Sequence, residues 1–339
     1  MIRTVAYPRT GLVGNPSDLL HGRTISLLLD AFQAEVTITE SERIEIERTN
    51  HDGRAFAGLD ELVHFRREFG YYGGIRIIEA TIVRLHRHCQ RLNIQLDGKR
   101  SFHLAYSSNI PFRVGLAGSS AIARATLVCL MKFYDLADTD IPLPIQANII
   151  LEAETLELGI VAGPQDRVVS IYGGLVYMDF TRDAFERNYN LYGDYKRLDP
   201  ANLPRLYVAY DERLSESSGR VHGNIQRRPE DQKKAILRVM AQKAELVEEA
   251  RVVIERADKD AIGPLMTRDF ELRRSVYDLA PMNLEMVETA RHNGSHAKQC
   301  GSGGAIVGTF TDDEHLLRVT QAFQLIGCQV VEVRVATYA

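Results

Sequence analysis

The chain has no tryptophan and only four cysteines in 339 residues. Cys89, Cys129, Cys300 and Cys328 are scattered, with no close pair at metal-ligand or redox spacing. They read as buried or half-buried thiols of a reducing compartment. No apolar run reaches the about 18–20 residues that span a bilayer, so no membrane partner is expected. Met1-Ile2-Arg3-Thr4-Val5-Ala6-Tyr7-Pro8 lacks the apolar core of a signal peptide, and a cytoplasmic location is expected. A basic surplus is missing too: the formal net charge is −4, which argues against nucleic acid as a partner. Arg227-Arg228 and Lys233-Lys234 stand beside Glu230 and Asp231 and read as solvated faces. His86 and His88 are two apart, so on a helix they share no face, and they read as solvated surface rather than a zinc site. Neither Gly-x-x-x-x-Gly-Lys-Ser/Thr nor Gly-x-Gly-x-x-Gly occurs, which closes the P-loop route to a phosphate site.

What is present is an ordinary globular composition, 45% hydrophobic and 25% charged, long enough for one large domain or two moderate ones. Residues 1–48 are strand-rich, with β-prone runs at 24–29, 35–39 and 44–47. Residues 76–92 have apolar positions Ile78, Ile82, Leu85 and Cys89 at helical spacing. A strand is expected at 102–106, a buried apolar helix at 121–134, another helix at 146–158, then a loop and a strand at 175–178. The polar, irregular stretch 181–203 is the expected domain boundary. Beyond it, strands are expected at 206–209, 305–310 and 329–335, and helices at 231–257 and 282–292. Strands that are grouped rather than strictly alternating with helices favour an α+β fold.

The most informative segment is Gly115-Leu116-Ala117-Gly118-Ser119-Ser120-Ala121, directly before the apolar helix. Glycine permits close backbone approach, and a helix start offers unpaired N–H groups with about half a positive charge. Together they suit a phosphate, and a serine hydroxyl there suits Mg²⁺. A tight strand-to-helix turn with a serine cap would look similar.

The segment resembles the Gly-Leu-Gly-Ser-Ser-Ala phosphate loop of the GHMP kinases, with Ala117 as an extra residue. Two further stretches resemble motifs of that family in the same order. Pro8-Arg9-Thr10-Gly11-Leu12-Val13-Gly14-Asn15-Pro16-Ser17-Asp18 is similar to its first motif, and Gly301-Ser302-Gly303-Gly304-Ala305-Ile306-Val307 to its third. The resemblance implies a two-domain α+β fold: a ribosomal protein S5 domain 2-like ATP-binding domain at 1–190 and a ferredoxin-like domain at 191–339. It implies ATP and Mg²⁺ as cofactors and a sugar as the small-molecule partner, and it leaves the oligomeric state open.

By the same resemblance, Gly115 to Ala121 bind ATP, Arg9 lies near the reacting hydroxyl, and Asn15, Ser17, Asp18, Gly303 and Gly304 line the substrate site. Ala162-Gly163-Pro164-Gln165-Asp166-Arg167-Val168-Val169 resembles the stretch that carries the family's catalytic aspartate, making Asp166 the expected base. Glu154, twelve residues before Asp166, and Ser120 are the expected Mg²⁺ ligands. Ser217-Ser218-Gly219-Arg220-Val221-His222 and Phe270-Glu271-Leu272-Arg273-Arg274 look similar to stretches of the glucuronokinases within the family. That implies phosphorylation of the anomeric hydroxyl of a sugar, glucuronic acid being the expected one; the alternatives are a kinase of the family for another small alcohol (another hexose, a heptose or a mevalonate-like acid) and a non-catalytic binding protein of the same fold. A uronate's carboxylate calls for a planar arginine, and Arg220 and Arg167 are the candidates.

Overall fold

The computed structural model describes residues 1–49, 52–213 and 229–338. Its first sheet has the order β1-β4-β7-β5-β6, built from β1 (Ile2–Ala6), β4 (Ala34–Ser41), β5 (Ile44–Thr49), β6 (Asp52–Phe56) and β7 (Ser101–Ser108). All its pairings are antiparallel except β5 with β7. Ala34, Val36 and Ile38 alternate with more exposed neighbours, so one face of β4 is apolar. That face is covered by α2 (Arg76–Arg91) and α3 (Gly118–Phe133). Helix α3 is apolar nearly all round because it lies between β1 and β4 on one side and α2 on the other.

The second sheet runs β2 (Arg9–Val13), β3 (Arg23–Leu28), β8 (Leu175–Asp179), β9 (Asp194–Leu198), antiparallel throughout. It forms a middle layer. Leu12, Val13, Ile25 and Leu27 share a core with Leu246 and Val247 of α7 (Glu230–Glu255) and with Ile262, Leu265 and Met266 of α8 (Lys259–Arg274). The third sheet, β11 (Ala297–Gln299), β12 (Ala305–Thr309), β10 (Leu206–Tyr210) and β13 (Gln329–Glu332), packs on α9 (Pro281–His292) and α10 (Asp313–Leu325). Strand β9 lies beyond residue 190, so the hydrogen bonds of the second sheet run across 190/191. The chain's last described residues also return to this layer: Asp30 N–H donates to the Arg334 carbonyl at 3.1 Å and Ala336 N–H to Leu28 at 3.1 Å.

The remaining helices correct the sequence reading. Residues 59–69 (α1, Leu59–Phe69), α8 and α10 are helices that the charge-rich sequence disguised, and α8 carries Gly263 and Pro264 inside it. The expected loop after residue 158 contains α5 (Gln165–Tyr172), and the irregular stretch 181–203 contains α6 (Arg182–Arg187) and β9. The helix expected at 146–158 is α4 (Leu143–Glu152), continuing as a π turn at Ala153–Glu157. His86 and His88 are buried, not solvated, because α2 is covered on more than one side. Among the described residues no group of His, Cys, Asp and Glu suited to a metal includes them. All four cysteines are free and buried. Among the described residues no helix is long and apolar enough to cross a membrane.

Candidate active site

Three glycine-bearing segments, far apart in sequence, meet at the end of β2. Arg9 N–H donates to the Leu116 carbonyl at 3.0 Å and Gly11 N–H to the Cys300 carbonyl at 2.9 Å. A Cβ on Gly301 would stand 2.2 Å from the Gly115 carbonyl oxygen and 2.9 Å from Arg9 Nη1. A Cβ on Gly115, whose φ is +77°, would stand 2.9 Å from the Gly303 carbonyl. Only glycine lets these backbones touch. Ala117, the extra residue, takes a left-handed φ of 57° immediately before α3, which turns the chain into the helix. The first turn of α3 therefore opens beside Arg9, with Gly118, Ser119 and Ser120 at its start.

At this junction lies a compact set of charges. Arg9 grips Asp166 with both arms: Nε donates to Oδ1 at 2.6 Å and Nη2 to Oδ2 at 2.8 Å. Its third nitrogen, Nη1, donates to the Gly115 carbonyl at 2.6 Å. Burial works against the Arg9 cation, but the Asp166 carboxylate outweighs it and holds the guanidinium's pKa above its ordinary value. Asp166 sits in the first turn of α5, where the helix dipole favours a carboxylate. Beside it, Arg167 donates to the Gly163 carbonyl at 2.8 Å and pairs with Glu154. Burial, then the nearby charge of Arg9, lowers the Arg167 pKa to about 9.

Asp18 is the second carboxylate here. It is buried, and its Oδ2 accepts from Gln165 N–H at 3.3 Å. Gly163 makes room for it, since a Cβ there would lie 2.0 Å from that oxygen. Burial and then the Asp166 charge raise its pKa to about 6. Folding thus raises the pKa from 3.8, so stability falls as pH climbs from about 4 through about 6. Asp18→Asn is expected to stabilise the protein at pH 7.5 by up to about 3 kcal/mol, with no gain below pH about 4. Thermal melting across that range checks it; a gain that does not change with pH would refute the assignment.

The other expected site residues divide. The Ser120 hydroxyl is buried and has no hydrogen-bond partner among the described residues, and the Glu154 carboxylate is 1% exposed. These are hard oxygen donors of the kind Mg²⁺ takes alongside phosphate, so the pair fits the ion, with Arg167 as the competitor for Glu154. The π turn at Ala153–Glu157 shifts the helix so that Glu154 faces inward. Glu152 and Glu157 are held instead by Arg84, and Glu157 also by Arg87. The Ser17 hydroxyl donates to the Arg23 carbonyl at 2.7 Å, bracing the turn. Gly303 abuts Gly115, while Gly304 uses its N–H on Asn283 and its carbonyl on Asp211 N–H. Asn15 is buried beside the Cys300 carbonyl. Arg220 lies outside the described residues.

Sequence reasoning missed a buried ionic hub next to Asn15. Asp269 of α8 accepts from Gly14 N–H at 2.8 Å and from Lys243 of α7 at 2.6 Å, and it pairs with Lys298 of β11 at 3.2 Å. Arg273, one turn further along α8, donates to the Gly301 carbonyl at 2.8 Å. A signal was available: Lys243 falls in the apolar series Ile236, Val239, Met240, Leu246, Val247, Ala250, and Asp269 in the series Ile262, Leu265, Met266. A charge on an apolar stripe marks a buried ion pair.

Comparison with known proteins agrees with this geometry. Residues 76–174 match the GHMP kinases N terminal domain. The chain is 43% identical over 307 residues to probable glucuronokinase 2 of Arabidopsis thaliana, spanning 89% of this chain and 82% of that protein. It is 40% identical over 306 residues to glucuronokinase 1 of the same plant, spanning 89% and 83%. The Streptococcus pneumoniae phosphomevalonate kinase, solved with phosphomevalonate and AMPPNP, superposes with a TM-score of 0.76 at 15% identity, over 98% of this chain and all of that one. The fold is the α+β fold of the GHMP kinases. With the turn at 115–121, the first motif and the third loop joined around Arg9 and Asp166, the chain is a small-molecule kinase that belongs to the glucuronokinase family of the GHMP kinases.

Proposed function

We propose that the protein transfers the terminal phosphoryl group of ATP to the anomeric hydroxyl of glucuronate, giving the sugar 1-phosphate. The observation that carries this reading is the doubly bonded Arg9–Asp166 pair, held against the Gly115 carbonyl at the opening of α3. Phosphoryl transfer asks a protein for alignment, charge neutralisation and a place for one proton. The start of α3 offers N–H groups to phosphate oxygens. Asp166 receives the proton of the attacking hydroxyl, and Arg9, already beside it, stabilises the negative charge that gathers on the sugar oxygen. Asp18, once ionised, accepts hydrogen bonds from the sugar's hydroxyls. Ser120 and Glu154 are the residues that would hold Mg²⁺, which would supply positive charge against the phosphates of ATP. The names of the two plant relatives support glucuronate as the acceptor.

An ADP-release screen over glucuronate, galacturonate, neutral hexoses, heptoses and mevalonate tests the reading, with phosphate located on the product. Glucuronate is expected to give the highest kcat/KM and the phosphate to sit on the anomeric carbon. Turnover with mevalonate alone would overturn it.

A further inference from the structure

The hub beside Asn15 does something the kinase chemistry does not require. Lys243, Lys298 and Asp269 are at most 1% exposed, so two ammonium groups share one carboxylate out of water. Burial and then the neighbouring cations Lys298 and Arg273 press the Lys243 pKa down to about 8, against the pull of Asp269. The surplus is positive, and in a low-dielectric interior it is weakly screened.

Lys298 passes that surplus to the site. Its ammonium has only donors, and all three are in use: on the Gly11 carbonyl at 3.1 Å, on Asp269 Oδ2 at 3.2 Å, and on Asn15 Oδ1. Because an ammonium accepts nothing, the amide of Asn15 can stand only one way round, with its oxygen toward Lys298 and its NH₂ on the opposite edge. That NH₂ has a single long contact, 3.5 Å to the Cys300 carbonyl, and one N–H remains over among the described residues. The same carbonyl receives Arg9 Nη1 at 3.4 Å, so the donor edge of Asn15 lies on the side of the catalytic pair. The charge of Arg9 is matched by Asp166, whereas the two ammonium groups behind Asn15 meet one carboxylate among the described residues.

We infer that Lys298, acting through Asn15, selects for an acid on the sugar: the Asn15 N–H edge binds the uronate carboxylate, and the buried cations behind it favour that anion over a neutral group. Asn15 is the contacting residue and Lys298 the positioning residue. A hydroxyl would serve this edge less well, since it brings no charge to the surplus. The inference rests on the sugar-kinase reading above and adds the element that recognises the acid.

The test compares glucuronate with its neutral isostere glucuronamide, in the wild type and in Lys298→Met and Asn15→Asp, by steady-state kinetics and by calorimetric binding of each sugar without nucleotide. Wild type is expected to prefer glucuronate by about 10- to 100-fold, the worth of one charge-assisted hydrogen bond. In Lys298→Met the preference should shrink at least about 10-fold, through KM for the acid rather than kcat, with KM for ATP as internal control. Asn15→Asp keeps the bond to Lys298 and the side-chain size, but it sets a carboxylate against the substrate's, so preference should pass to the amide. This second variant decides the matter if Lys298→Met does not fold. Equal losses on both sugars, or an unchanged preference, would overturn the inference while leaving the kinase reading intact. A wild type inactive on both sugars would instead bring down the kinase reading.

Discussion

Replacing Asp166 with Asn is expected to cut turnover about 10²- to 10⁴-fold, the usual contribution of a positioned proton acceptor. The substitution keeps the shape of the side chain but puts an NH₂ group against Arg9, whose Nε and Nη2 both need acceptors. One of the two bonds becomes a clash of donors, and the buried guanidinium loses its counter-charge. Nucleotide affinity should change far less, since the α3 start and Ser120 are untouched. Coupled ADP release measures the first effect and calorimetric titration with ATP the second. Near-normal turnover would move the proton acceptor to Asp18, the other carboxylate at the site.

The largest stability effect is expected at Asp269. Asp269→Asn leaves Lys243 and Lys298 buried without the carboxylate they share and weakens the bond from Gly14 N–H. Removing one partner of a buried pair destabilises by about 3–5 kcal/mol. For a chain of this length that lowers the melting temperature by roughly 5 °C. Lys243→Met serves as the contrast: it removes one of the two lysines, fills similar volume, and leaves Asp269 paired with Lys298. Its effect should be clearly the smaller. If the two variants melted alike, packing rather than charge would hold this hub together.

How far the chain could be read in advance depended on how local each signal was. That the turn at 115–121, Arg9 and Asp166 would lie together was legible because each sits in a short span that resembles a motif of one family. The α+β class and the buried character of α3 followed from apolar spacing alone. Helix α8 was not legible, since Gly263 and Pro264 break its pattern while packing against its neighbours keeps it helical. The turn that aims Glu154 inward has no signature in residue type; it depends on one extra residue in the helical repeat. The bond from the Ser17 hydroxyl to the Arg23 carbonyl was not legible, because that carbonyl comes from the next strand. The ionic hub is assembled from α7, α8 and β11, and partners so distant in sequence become visible only after the chain has folded.

The return of the last described residues to the middle layer bears on how substrates enter. Leu29 bridges to Val335, Gly174 N–H donates to the Ala336 carbonyl at 2.9 Å, and the ring of Tyr338 stacks on Tyr7 and beneath Arg124 of α3. Swinging the β10 side away from α3 would tear this seam and the β8–β9 pairing together. Access by hinge-like gaping is therefore penalised, and a sugar or nucleotide must come and go through rearrangement of surface segments around a stiff frame.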